Sequence, residues 1–261
     1  MNRPRIDLDL QTIPEVLRDF AAGCAIYDSS CSKDAKVYFL DKDQGYYLKK
    51  SAKNALHHEA VMTEFFNSKG LSAKVITYES LDEDWLLTTK IPGEDCTFHI
   101  YKEEPARLCD TTAELLRMLH STQHSGCPIA DRRAQYLETA ANNYRTGKYD
   151  TSLFPDNWGY ASAEEAWDEI QRNAHFLKAD TLLHGDYCLP NILLDNWKFS
   201  GFIDLDTAGV GDKHVDLFWG IWSLQFNLQT DKFRNRFLDA YGREDICEDA
   251  FRTVAAIEVF G

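Results

Sequence analysis

The sequence predicts an α+β protein built as two lobes, an antiparallel sheet followed by a mainly helical region. Three observations point there. Strand-like runs separated by turn compositions fill roughly the first 90 residues, a common size for one lobe. Helically spaced leucines dominate the rest of the chain. Between the two stands Ile91-Pro92-Gly93, a Pro-Gly pair of the kind that ends regular structure. The expected division is therefore residues 1–91 and 92–261.

Each element follows from a local pattern. Residues 13–22 (IPEVLRDFAA) read as a short amphipathic helix stopped by Gly23. Residues 37–40 and 46–50 are β-rich, and the DKDQG between them is turn-forming, so they read as a hairpin. Residues 53–68 place Ala55, Val61, Phe65 and Phe66 at loosely helical spacing and stop before Gly70. Two further strands are expected at 74–78 and 85–89, joined by the acidic turn SLDED. This order suits a small antiparallel sheet with one helix against it. Beyond the break, 104–120 carry Leu108, Leu115, Leu116 and Leu119 on a helical face, and 162–177 follow Ser162 as a plausible cap. Short strands are expected at 181–184, 192–194 and 199–203, and helices at 213–241 and 245–260.

Bulk properties narrow the function. The chain has 261 residues and is 44% hydrophobic, enough for a sizeable core. Its formal net charge of −14 excludes a general nucleic-acid binder, which needs Lys and Arg for phosphates, and favours cationic partners. The 7 cysteines are odd in number and without CxxC spacing, against a disulfide framework or a cysteine zinc site. His57-His58-Glu59 does not form HExxH. The N-terminus, MNRPRIDLDL, lacks the apolar stretch of a signal peptide, and no run of apolar residues is long enough to span a bilayer. The cytoplasm is the expected compartment; no membrane and no protein partner is implied.

The strongest chemical signal is His184-Gly185-Asp186-Tyr187-Cys188-Leu189-Pro190-Asn191, set between strand residues, with Gly201-Phe202-Ile203-Asp204 on the next strand. An aspartate facing an acceptor hydroxyl orients it and receives its proton. An asparagine five residues later can turn inward to a metal ion, and an aspartate from the adjacent strand completes the metal site between β- and γ-phosphates. Asp186 fits the base, and Asn191 and Asp204 the Mg²⁺ ligands. Phosphoryl transfer also needs a cation on the α- and β-phosphates. Lys49 lies on the second hairpin strand and Glu59 ten positions on, in the following helix, the arrangement in which a glutamate holds a phosphate-binding lysine. The phosphate-covering turn should lie in residues 29–36 (SSCSKDAK), where Ser32 is the central hydroxyl; it contains no glycine.

These residues make the chain resemble the aminoglycoside phosphotransferase family, and within it the 3′-phosphotransferase (kanamycin kinase) branch. The match runs over AKVYFL, YLKK, Glu59, the Pro-Gly break, LLRMLHS, LLHGDYCLPNILL, FSGFIDLDTAGVGDKHVDL and the terminal IEVFG. The resemblance implies a protein-kinase-like fold, ATP as donor with GTP as an alternative, Mg²⁺, and a cationic small-molecule acceptor. It implies that Tyr47 stacks on the adenine and that backbone groups of Thr89 and Ile91 read the base. It assigns Asp156, Asn157, Glu258 and Phe260 to the acceptor pocket.

The chain departs from the family pattern at several points. Asp206-Thr207 stand where Gly-Arg is usual, which removes a cation near the γ-phosphate; Lys33 or Lys36 from a phosphate loop one residue longer is the candidate replacement. Phe226-Asn227, Ile257 and Gly159 replace expected pocket acids. Three other readings follow. One is a kinase of another small alcohol, of choline, homoserine or macrolide type. Another is a weakly catalytic nucleotide-binding module, which the intact Asp186, Asn191, Asp204 and Lys49 oppose. The last is a protein kinase, opposed by the missing APE-type segment after Asp204.

Overall fold

A computed structural model describes residues 4–31, 35–149 and 159–261. In chain order these form β1 (Arg5–Ile6), α1 (Glu15–Ala21), β2 (Ala25–Asp28), β3 (Ala35–Asp41), β4 (Tyr46–Ala52), α2 (His57–Ser68), β5 (Val75–Ser80), β6 (Glu83–Thr89) and β7 (Glu94–Asp95). The chain continues through α3 (His99–Lys102), α4 (Pro105–His120), α5 (Arg132–Thr146), α6 (Ala163–Asn173), β8 (Thr181–Leu183), β9 (Ile192–Asp195) and β10 (Lys198–Phe202). It ends with β11 (Gly209–Gly211), α7 (His214–Leu228), α8 (Arg234–Tyr241) and α9 (Glu248–Glu258).

Two compact units result. The first joins the residues through Glu94 to Leu193–Thr207; the second joins Asp95–Ile192 to Ala208–Gly261. The sequence divides the chain once, after residue 91, whereas the fold breaks after Glu94 and returns the Leu193–Thr207 segment to the first unit. Close tertiary contacts hold the segment there. Gly93, at φ 92°, lies so close to Leu194 that a Cβ would meet its carbonyl oxygen at 2.2 Å. The Phe202 amide donates to the Leu71 carbonyl at 2.8 Å, and the Phe202 ring packs edge-on against Phe66, with centroids 6.4 Å apart.

The first unit is an antiparallel sheet in the order β1-β2-β3-β4-β6-β5. Side chains alternate across β4, and this places its chemistry. Leu48 turns into a core of Ile13, Leu17, Leu40, Trp85 and Leu87, closed by α1. Lys49 and its cross-strand neighbour Leu86 take the other face, where Leu86 packs with Leu56 and Ala60 beside α2. The anticipated turn at SLDED is tighter than expected, because Asp84 belongs to β6. Its buried carboxylate accepts the Leu56 amide at 2.9 Å, the Tyr78 hydroxyl at 2.8 Å and the Ser80 hydroxyl at 2.7 Å.

The second unit is mainly helical. Packing pairs α4 with α8, α6 with α9 and α7 with α9, and β8 pairs antiparallel with β11. α4 buries Leu108, Thr112, Leu116 and Leu119 on one stripe. α7 is buried over most of its circumference, as a central helix must be. The single helix expected over 213–241 is in fact two, because Gln229 turns left-handed at φ 53° and ends α7. Ser162 caps α6 as expected, its Oγ accepting the Glu165 amide at 3.2 Å. All seven cysteines are free. Among the described residues no helix is long and apolar enough to cross a membrane.

Candidate active site

In the first unit three charged side chains meet. Lys49 projects from β4 with its Nζ 2.6 Å from Glu59 Oε2 on α2 and 2.9 Å from Asp204 Oδ1. Burial works against the ammonium charge, but the two carboxylates outweigh it and hold the Lys49 pKa above its ordinary value. Asp204 is more than half exposed and sits at φ 61°, a left-handed backbone that aspartate tolerates better than most residues. Such a conformation, just beyond β10, turns the carboxylate out of the strand's alternation and onto Lys49. His58, beside Glu59 on α2, lies against the Asp206 carbonyl oxygen.

Tyr47 occupies the same strand two residues before Lys49, opposite Phe39, with ring centroids 5.4 Å apart. The Thr89 amide is already paired with the Lys74 carbonyl at 3.0 Å. Ile91 is buried, its side chain against Gly201. In the turn before β3, Ser30 Oγ accepts the Val37 amide at 3.0 Å and fixes the loop's entry. Ser32, Lys33, Asp156 and Asn157 lie outside the described residues.

In the second unit a loop carrying Asp186 runs from the end of β8 to the start of β9. Gly185 takes φ 84°, which a side chain would resist, and presents Asp186 beyond the strand. Asn191 folds back, its Nδ2 donating to the Asp186 carbonyl at 3.0 Å and to Asp186 Oδ2 at 2.9 Å. That fixes the carboxylate and leaves the asparagine's Oδ1 as the oxygen a hard cation would take. Tyr187 is fully buried and ties the loop to α4 by donating to the Thr112 carbonyl at 2.8 Å.

The residue that organises this loop was not singled out in the sequence. Asp216, wholly buried on α7, accepts the His184 amide at 2.8 Å and the Gly185 amide at 2.7 Å. His120 Nε2 lies 3.1 Å from the same carboxylate, and its Nδ1 is 2.8 Å from the Tyr241 hydroxyl. Ser223, also on α7, accepts the Leu189 amide at 2.9 Å. Only the second acid in VGDKHVDL hinted at this, and nothing in its spacing distinguishes a loop anchor from a surface charge.

Glu258 ends α9 and is buried. Tyr136 donates to its Oε1, and so does Trp219 Nε1 at 3.1 Å. Burial pushes its carboxyl up to about 7; the two donors work against that shift, and the like charge of Asp186 adds to it. Phe260 is packed among Tyr144, Tyr149 and Trp167, and its carbonyl accepts Asn143 Nδ2 at 2.7 Å. The structure therefore brings Lys49, Glu59 and Asp204 together in one unit. In the other it brings Asp186 to Asn191, with Glu258 close enough to feel its charge.

Comparison with known proteins identifies the family. The pattern of the phosphotransferase enzyme family matches residues 31–256. A Lactococcus lactis protein named a probable aminoglycoside 3′-phosphotransferase is 47% identical over 261 residues, covering 100% of this chain and 99% of that one. An Escherichia coli aminoglycoside 3′-phosphotransferase is 31% identical over 203 residues, 75% of this chain and 72% of that protein. Among solved structures, an aminoglycoside 3′-phosphotransferase of type VIII superposes with a TM-score of 0.72 at 22% identity, covering 100% of this chain and 94% of that one. A Streptomyces rimosus aminoglycoside phosphotransferase in complex with ADP and streptomycin superposes with a TM-score of 0.67 at 19% identity, covering 86% and 90%. These two share the protein-kinase-like fold anticipated from the sequence.

Proposed function

The chain belongs to the phosphotransferase enzyme family, and from that premise we propose that it transfers the γ-phosphoryl group of ATP to a hydroxyl of an aminoglycoside, the 3′-hydroxyl of kanamycin-type rings. The observation that carries the reading is the Lys49–Glu59–Asp204 cluster. A lysine held charged by two carboxylates, one from a helix and one from a left-handed turn after a strand, suits phosphate binding.

Each residue then has a task. Asp186, with Oδ2 held by Asn191, offers its other oxygen to the acceptor hydroxyl, orients it toward the γ-phosphorus and takes its proton as the new P–O bond forms and the bond from the γ-phosphorus to the β–γ bridging oxygen breaks, releasing ADP. Lys49 binds the α- and β-phosphates and Glu59 keeps it there. Tyr47 gives the purine a flat face, and backbone groups near Thr89 and Ile91 read its edge. GTP is an alternative donor. Asp156, Asn157, Glu258 and Phe260 belong to the acceptor side, with Glu258 the buried acid for an ammonium group.

The donor set suits Mg²⁺. Asp204 and Asn191 offer carboxylate and amide oxygens, the hard ligands that ion takes. Among the described residues no three His, Cys, Asp or Glu side chains cluster as a metal site. When bound, the ion neutralises charge on the β- and γ-phosphates.

The test is turnover with kanamycin and with its 3′-deoxy analogue tobramycin, with ATP and Mg²⁺. Phosphorylation of kanamycin alone is expected. Equal phosphorylation of both would exclude the 3′ position. Turnover of neither, alongside turnover of a neutral or singly charged alcohol, would remove the aminoglycoside reading.

A further inference from the structure

The segment that carries Asp204 is held near both ends of α2. At the C-terminal end Phe66 packs on Phe202, and the Phe202 amide donates to the Leu71 carbonyl just beyond the helix. At the N-terminal end Glu59 shares Lys49 with Asp204. One residue earlier, His58 Nδ1 meets the Asp206 carbonyl oxygen and lies 3.7 Å from Asp206 Oδ1. All of these residues belong to the first unit, and Asp206 is its last residue but one before the chain enters the second. Neither phosphate binding by Lys49 nor proton transfer to Asp186 uses the His58 contact.

The acceptors define what His58 does. A carbonyl and a carboxylate oxygen both face Nδ1, so that nitrogen carries the hydrogen and donates it to the backbone of Asp206. The bond works against repulsion. Glu59, Asp204 and Asp206 set three carboxylates around the single Lys49 ammonium. Burial raises the Glu59 pKa, and the charges of Asp204 and Asp206 raise it further, against the lowering effect of Lys49. Asp206 stands where the family pattern has glycine, so the third charge is this chain's own. Like charges drive the segment away from α2. Asp204 already sits in a left-handed backbone at φ 61°, which an unheld segment would give up.

We propose that His58 is a positioning residue for the donor site: by tying the Asp206 carbonyl to the start of α2 it keeps Asp204 turned onto Lys49, with its carboxylate set for the Mg²⁺ of the nucleotide. The inference rests on the reading of Lys49 as the phosphate-binding residue and Asp204 as a metal ligand. Its consequence is selective. Lys49 and Glu59 stay paired without His58, so the phosphates keep their cation and only the metal-linked part of nucleotide binding weakens.

The experiment measures the Kd of AMP-PNP, a non-hydrolysable ATP analogue, by equilibrium titration with Mg²⁺ and in EDTA, together with Tm. The proteins are the wild type, His58→Leu, His58→Ala and His58→Asn. Leucine and alanine remove the donor; asparagine puts an amide N–H close to where Nδ1 stands. Loss of one such hydrogen bond corresponds to about a 2- to 10-fold change in an equilibrium. With Mg²⁺, His58→Leu and His58→Ala should bind the analogue about 5-fold more weakly, and His58→Asn within about 2-fold of the wild type. In EDTA all four should bind it alike. Unchanged binding with Mg²⁺ in both donor-less variants, whatever their Tm, would overturn the positioning role alone. So would an equal loss with and without Mg²⁺, or a loss that asparagine does not restore, because either marks a residue that only supports the fold. A wild type that binds the analogue no better with Mg²⁺ than in EDTA would overturn the reading of Asp204 and the positioning role with it.

Discussion

Asp216→Asn isolates the anchor of the Asp186 loop. In the native protein Oδ2 accepts the His184 amide and faces His120 Nε2, while Oδ1 accepts the Gly185 amide. Asparagine keeps the shape but replaces one oxygen with an NH₂ group. With the nitrogen at the Oδ2 position, the His184 amide faces another donor. His120 could adapt by switching tautomer and donating to Tyr241 from Nδ1, but the backbone amide could not. With the nitrogen at the Oδ1 position, the Gly185 amide is stranded instead. Either way one buried N–H loses its acceptor, at a cost of about 1–3 kcal/mol. For a chain of this size that corresponds to a fall in Tm on the order of 5 °C. Because Gly185 precedes Asp186, the proposed base, the loop should also shift, and a misplacement of about 1 Å can cost up to 10²-fold in rate. The expected result is a lowered Tm by calorimetry and a kcat reduced about tenfold or more, with the ATP KM unchanged. A variant with wild-type Tm and kcat would refute the anchoring role.

Other outcomes follow from the same geometry. Asp186→Asn should bind nucleotide normally in equilibrium titration yet turn over about 10²–10⁴-fold more slowly; wild-type turnover would mean the base lies elsewhere. Lys49→Met should raise the ATP KM about tenfold or more, the worth of a hydrogen bond to a charged group; steady-state kinetics with varied ATP decides it. The Glu258 carboxyl is pushed up to about 7 by burial. A raised folded-state pKa contributes stability that is full below the unfolded value, near 4.5, and is lost as pH rises through about 7. Tm should therefore fall over that window and Glu258→Gln should flatten the fall, and a pH slope identical in both proteins would count against it.

What was legible in the sequence was chemistry that demands a residue type at a fixed spacing. Asp186 and Asn191 had to be five apart on one loop, and Lys49 and Glu59 had to face each other from strand and helix, so pattern sufficed. What escaped acts through the backbone or through distance. Asp216 works by accepting main-chain amides, and those carry no side-chain signature. α5 escaped because it buries only Ala140, leaving no apolar stripe to count. The break between α7 and α8 rests on one left-handed Gln229, a conformation that glutamine does not advertise. The return of Leu193–Thr207 to the first unit depends on tertiary contacts between Gly93 and Leu194 and between Phe66 and Phe202, which no local window contains.

The buried acids separate into structural and functional by how their charge is satisfied. Burial by itself disfavours a carboxylate's charge. For Asp84, the backbone amides of Leu56 and Asn54 and two hydroxyls reverse that, and its pKa is lowered. For Asp212, His214 and the Lys178 amide do the same. Asp216 has two main-chain amides and an imidazole. Each of these carboxylates is already matched, and a substrate cation would add little. Glu258 is different. Both its donors, Tyr136 and Trp219, converge on one oxygen, the charge of Asp186 opposes its ionisation, and its pKa stays raised. A carboxylate left under-satisfied in a buried place is destabilised until a cation arrives, and the arriving cation recovers that energy as affinity. The same residue satisfied as fully as Asp84 would bind an ammonium group weakly. Burial raises the Glu59 pKa as well, but there Lys49 already supplies the cation.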